Sequence, residues 1–265
     1  MSRSYWIVTA ALVVLPFAAP AHAAAAMTAV PDLSGYWFRA EPGRTRVLHP
    51  PPAGPGPVVS IPGDSEFDIG DTNNPILKPH AAAAVKAHGD SGRAGRLVLS
   101  PWALCRPSGV PLILLLGEPV QILQAPDQVT ILYERNMQVR RIYLNRPHSA
   151  NPRPSSYGES VGHYEGGALV IDTIGLDGKM PVDKYGTPHS PRLHVIERYT
   201  LAPDKQSFHV ELHVEDTETF NMAWSAVGRY QRTTGPLIES VCAENNKDAA
   251  TGRDYPIPMA ARADF

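Results

Sequence analysis

The sequence predicts a mainly β protein, an antiparallel up-and-down barrel with long N-terminal loops and one short helix. Three observations lead there. The 27 prolines and 21 glycines are too many for long helices to dominate, because an internal proline removes a helix hydrogen bond and clashes with the preceding turn. From residue 112 onward apolar residues recur with a period of two, in short segments rich in β-branched and aromatic side chains. Turn signals such as Ala125-Pro126-Asp127 and Glu165-Gly166-Gly167 divide those segments. They leave no room for the crossover helices of an α/β sheet, so a barrel or a sandwich remains.

The elements follow in order. Arg3, the apolar run Trp6 to Ala19 and the small-x-small Ala21-His22-Ala23 form a signal-peptide pattern over residues 1–23. The run is shorter than the ~20 residues of a spanning helix, and Pro16 and Pro20 interrupt it. Cleavage and a periplasmic or secreted location are expected, with 24–265 as one domain. Residues 24–31 are an alanine-rich lead-in, and Asp32 to Phe38 reads as a first strand. Residues 42–63 are a proline- and glycine-rich surface loop. Pro79 to His88 predicts a helix, with proline in its first turn and Gly89 just past its end. Pro101 to Pro111 is another loop. Ten strands are then expected at 112–116, 119–124, 128–134, 138–144, 159–164, 168–174, 193–201, 207–215, 222–231 and 237–243.

Composition narrows the function classes. The chain carries 24 Lys+Arg against 26 Asp+Glu, a formal charge of −2. It has no basic surplus for nucleic acid or for an anionic membrane surface. With 43% hydrophobic and 19% charged residues it can bury a core. No glycine-rich phosphate loop and no dinucleotide fingerprint occurs, so no cofactor is expected. The only cysteines, Cys105 and Cys242, lack Cys-x-x-Cys partners. In an oxidising compartment they are expected to pair as a disulfide.

Strand alternation picks out ionisable groups among apolar neighbours. Glu197 shares a face with Leu193, Val195, Tyr199 and Leu201, and Asp172 with Val170 and Ile174. A carboxylate in such a setting must be paired, neutral or wetted by a cavity. Glu197 either pairs with an arginine such as Arg141 or lines a pocket as an acid–base group. His163 lies across the Glu165-Gly166-Gly167 hairpin from Asp172, within reach of an imidazole–carboxylate contact. His148, His189 and His194 sit near loops, where barrel sites gather. Their spacing matches no metal-ligand pattern, so no metal residues are assigned. Arg141 and Tyr143 share a face suited to an anionic or carbonyl group. His209 and His213 alternate with Glu211 and Glu215 and read as a solvated strand face. Gly158-Glu159-Ser160-Val161-Gly162 has the letters of a nucleophile elbow but enters a strand rather than a helix.

The stretch from Arg140 to Asp248 carries a run of local motifs. These are Arg140 to His148, Ser160 to Thr173, Pro188-His189-Ser190 with Leu193 to Tyr199, and Cys242 to Asn246. In these it resembles a group of secreted, β-rich bacterial proteins. The resemblance implies export and a β fold and brings no catalytic assignment. The opening Gly35-Tyr36-Trp37 resembles the first strand of lipocalin-like barrels, which implies a closed meander around a cavity.

Three functions are compatible with these residues. The first is a cofactor-independent acid–base enzyme, a lyase, isomerase or hydratase, acting on a small apolar or aromatic molecule in the barrel cavity. Asp172, Glu197, His163 and His189 would be catalytic, and Arg141, Tyr143, His148 and Trp224 would hold the substrate. The second is a binding protein for such a ligand, and the third a metal-dependent hydrolase built on the histidines. In each case the partner is a small molecule.

Overall fold

The computed structural model describes residues 30–40, 48–61, 69–96, 100–101 and 104–242. The expected signal peptide, most of the lead-in and the Ala243 to Asn246 end of the last motif lie outside the described residues. The strands are β1 (Gly35–Arg39), β2 (Val120–Gln124), β3 (Gln128–Tyr133), β4 (Gln138–Leu144), β5 (Glu159–Glu165), β6 (Ala168–Ile174), β7 (His194–Leu201), β8 (Ser207–Glu215) and β9 (Trp224–Thr233). Each pairs with the next, and β1 pairs with β9, so the sheet closes into a barrel. The expected mainly β barrel is therefore present.

One pair departs from a strict meander. β4 and β5 run parallel, with Tyr143 opposite Val161. A parallel pair needs a long return connection, and residues 145–158 supply it. That return carries His148 across the outside of the sheet. The next connection is as short as a hairpin permits. Glu165 pairs with Ala168, and Gly166 and Gly167 between them have φ of 58° and 76°. Two consecutive positive φ values are what a two-residue turn matching strand twist requires, and glycine adopts them without strain.

Two expected strands are absent among the described residues. Leu112–Leu115 is a short 3-10 helix with all four side chains buried. A continuous apolar run carries no period with which to tell strand from helix. Here it plugs the barrel, and the Leu114 carbonyl accepts bonds from Arg39 Nη1 at 2.9 Å and Tyr230 Oη at 3.1 Å. Residues 237–242 form no strand. The helix α1 (Pro79–Arg93) runs past its expected end. Gly89 is no terminator, because it is buried against Ile69. Cys105 and Cys242 form the expected disulfide across a sequence separation of 137.

The interior is filled. Trp37 is fully buried, donates its indole N–H to the Leu33 carbonyl at 2.7 Å, and packs edge-on to Phe208. Phe208 in turn stacks on Tyr230. The void among Leu114, Ile131, Tyr133, Tyr199, Phe208 and Tyr230 holds about 10 Å³, room for about one water. Among the described residues, side chains of β1–β3 and β7–β9 pack into the space where the lipocalin-like opening implies a cavity.

Candidate functional site on the outer face

Alternation decides which ionisable groups enter the barrel. Register places Glu197 inward beside Ile171 and Leu212. There the two Arg140 guanidinium ends meet its two oxygens, at 2.6 Å and 3.0 Å. Arg140 also donates to Ser160 Oγ at 3.2 Å and Thr173 Oγ1 at 2.9 Å, while Tyr199 Oη donates to Glu197 at 2.8 Å. Burial alone would pull the proton off the Arg140 guanidinium, and the adjoining Glu197 carboxylate more than reverses this. Burial, reinforced by Glu197, also holds the Tyr199 phenol in its neutral form. Glu197 is therefore a satisfied structural anion. Its partner is Arg140, whereas Arg141 is exposed on the outer face. Ser160 of the elbow-like string is a buried member of the same network.

The remaining expected site residues scatter. His163 is half exposed and contacts Glu165 at 3.3 Å. It stands opposite Val170 rather than Asp172. His189 is buried in the loop before β7, with Nδ1 2.8 Å from the Ser190 carbonyl, and burial lowers its proton affinity. Tyr143 lies outside under the Arg146 guanidinium at 3.7 Å. Trp224 is buried edge-on to Phe220. Among the described residues, the expected catalytic set of Asp172, Glu197, His163 and His189 therefore does not converge, with Glu197 inside the barrel and Asp172 and His163 on its outer face.

A different set converges on the outer face. Asp172 Oδ1 stands 2.9 Å from His148 Nε2 and 3.0 Å from His194 Nε2. His148 Nδ1 lies 3.2 Å from Glu159, which also accepts from the Ser149 amide at 2.6 Å and from the Ser149 hydroxyl. His194 Nδ1 is 3.7 Å from Glu215, and His213 Nε2 is 3.0 Å from the same carboxylate. His213 Nδ1 faces Ser225 Oγ at 3.3 Å. Imidazoles and carboxylates thus alternate from Ser149 to Ser225. The hydrogen bonds from Ser149 and then His148 hold Glu159 below its ordinary range, and those from His213 and His194 do the same for Glu215.

Valence separates the three imidazoles. His148 and His194 each lie between two carboxylates, which only accept. His213 has a carboxylate on one side and a hydroxyl on the other. With hydrogen on Nε2 the ring donates to Glu215 and presents Nδ1 to Ser225.

His213 also borders a groove. Pro51, Pro52 and Ala53 overhang Ile196, Arg198, Glu211, His213, Ser225 and Val227, enclosing about 340 Å³. The overhang is fixed because His49 and Val227 exchange backbone hydrogen bonds and the Ser225 amide donates to the Pro55 carbonyl at 3.0 Å. The described part of the proline-rich loop, residues 48–61, is thus a wall of this groove. Its volume falls within the ~300–1,000 Å³ of small-molecule sites. Apolar Ile196, Val227 and the prolines form its body, and Arg198, Glu211, His213 and Ser225 its polar rim.

No family model matches the chain, and no curated protein matches it. Among the described residues no three His, Cys, Asp or Glu side chains are placed to hold a metal ion.

The sequence places His213 on a solvated strand face with Glu215, and gives no site role to Ser225, Ile196 or Arg198. A usable signal existed. His213 and Glu215 are two apart on one strand, which puts both on one face. Ser225 joins them only through the β8–β9 register, in which it stands opposite His213.

Proposed function

We propose that the protein is an exported small-molecule binding protein whose ligand lies in the outer-face groove. The groove itself carries this reading, with an apolar body sized for one small molecule and a polar rim on one side. The ligand chemistry it favours is a flat apolar or aromatic body with an anionic or carbonyl end toward Arg198, whose guanidinium also donates to the Glu165 carbonyl at 3.0 Å. The signal-peptide pattern, the disulfide and the resemblance to secreted bacterial proteins support export.

Titration with anilinonaphthalenesulfonate, an aromatic anion, tests the reading. Saturable one-to-one fluorescence enhancement is expected. Val227→Glu, which sets a carboxylate in the apolar wall, should weaken it about tenfold or more, with the circular dichroism spectrum unchanged. Enhancement that never saturates, or that ignores both Val227→Glu and Ile196→Glu, overturns the groove as the binding site.

A second reading is favoured by one observation. His213 is an imidazole oriented by a carboxylate at the rim of this groove, which suits acid–base turnover of the bound molecule. On that reading the acid–base chemistry expected from the sequence resides at His213 and not at the expected set.

A further inference from the structure

Ser225, His213 and Glu215 form a hydroxyl–imidazole–carboxylate line whose first two members border the groove. The distances are 3.3 Å from Ser225 Oγ to His213 Nδ1 and 3.0 Å from His213 Nε2 to Glu215 Oε1. We propose that Ser225 is an acyl-accepting nucleophile, with His213 as its base and Glu215 as the positioning residue, and that the substrates are small aromatic or apolar carboxylic esters. The inference rests on the groove as the binding site and goes beyond binding.

The geometry supplies what such a step needs. A serine hydroxyl is a weak nucleophile until a base lies within hydrogen-bond reach of it, itself oriented by a third group. Glu215 takes the Nε2 hydrogen and so leaves the Nδ1 lone pair facing Ser225. The Ser225 backbone is held on both sides, in register with His213 on β8 and bonded to the Pro55 carbonyl. Its position against the overhang is therefore set before any ligand arrives.

Ser225 Oγ attacks the ester carbonyl carbon while its proton passes to His213 Nδ1. The carbonyl oxygen becomes an oxyanion; the positive charge nearest to it is Arg198, which lines the groove while its guanidinium donates to the Glu165 carbonyl at 3.0 Å. The bond to the alcohol oxygen then breaks, and His213 returns the proton to that oxygen, leaving the acyl group on Ser225. Water attacks the acyl carbon and gives its proton to His213, which passes it to Ser225 Oγ as the carboxylic acid departs. The net reaction is ester plus water to acid plus alcohol.

The neighbours of His213 shape its pH response. They are Glu211 and Glu215 on β8 and His194 and Arg198 on β7. Removing the Glu215 charge makes the imidazolium less favoured, so the acylation profile of Glu215→Gln should move to lower pH. A purely structural role for Glu215 would lower the amount of folded protein without moving the profile.

The test uses p-nitrophenyl acetate with the full mature chain. A burst of p-nitrophenolate equal to the enzyme present is expected, with one acetyl group mapped by tandem mass spectrometry to Ser225. Ser225→Ala and His213→Gln should slow acylation roughly 100-fold or more, while His209→Gln, exposed on the same strand, leaves it unchanged. Acetyl on other residues with Ser225 unmodified, or a burst that survives in Ser225→Ala, overturns the proposal. Mapping on the unmutated chain keeps the test decisive even if a variant misfolds. Saturable dye binding by Ser225→Ala shows that the groove is intact, so loss of acylation is told apart from loss of the binding site.

Discussion

Arg140 and Glu197 meet end to end inside the barrel, with side-chain exposures of 1% and 0%. Two charges removed from water are tolerated only because each is neutralised and further bonded, by Ser160 and Thr173 on one side and Tyr199 on the other. Glu197→Gln leaves the guanidinium buried without its counter-charge. A loss of about 3–5 kcal/mol is expected in urea unfolding. The double variant Arg140→Met with Glu197→Leu removes both charges and should recover most of that loss. A double variant no more stable than Glu197→Gln would mean that the pair is a net source of stability.

Asp172 presents the opposite case. It bridges two histidines but is 39% exposed at its side chain. Exposed ion pairs contribute little because water and salt screen them. Asp172→Ala is expected to change unfolding free energy by under about 1 kcal/mol, while the ring resonances of His148 and His194 shift in NMR spectra. A loss several times larger would show that the outer network holds the crossover at residues 145–158 in place.

The contrast between these two carboxylates shows what the sequence could and could not convey. In β7 Val195, Tyr199 and Leu201 share the face of Glu197, while the other face carries His194, Arg198 and Thr200 with Ile196 as its one apolar residue, so Glu197 is legible as an inward group. In β6 both faces are apolar, with Leu169 and Ile171 inside and Val170 and Ile174 outside. Periodicity then fixes which residues share a face with Asp172 but not which face is buried. The same ambiguity lies between the adjacent Arg140 and Arg141 of β4. The closed barrel followed from spacing and turns, which are local. The groove did not, because it needs Pro51 to Ala53 laid over β7–β9, a long-range contact without a local signature.

The disulfide joins parts of the chain that the barrel alone does not bind together. With a sequence separation of 137 between Cys105 and Cys242, the chain-entropy model gives a stabilisation of ~5 kcal/mol, acting on the unfolded state. Cys105→Ser with Cys242→Ser should lower the urea midpoint while keeping the folded spectrum. If the two midpoints coincide, the unfolded chain is already compact enough that the closure constrains nothing.

Asp183 gives the pH dependence a definite sign. It is buried in the loop before β7, and burial raises its carboxyl to about 6 from an ordinary value of 3.8, although the Tyr185 and Thr187 amides donate to it. Between those values the folded chain binds more protons at this residue than the unfolded chain. Its contribution to stability is thus fully present below about 4 and lost as pH rises through about 6. Buried His189 acts oppositely. Burial lowers its affinity for a proton, so its contribution rises with pH toward the unfolded value of 6.5. Asp183→Asn removes the first effect alone. In urea unfolding across about pH 4 to 7, the variant should gain on the parent as pH increases and be the more stable at neutrality. Parallel stability curves for the two would show that the Asp183 carboxyl titrates alike in the folded and unfolded chains.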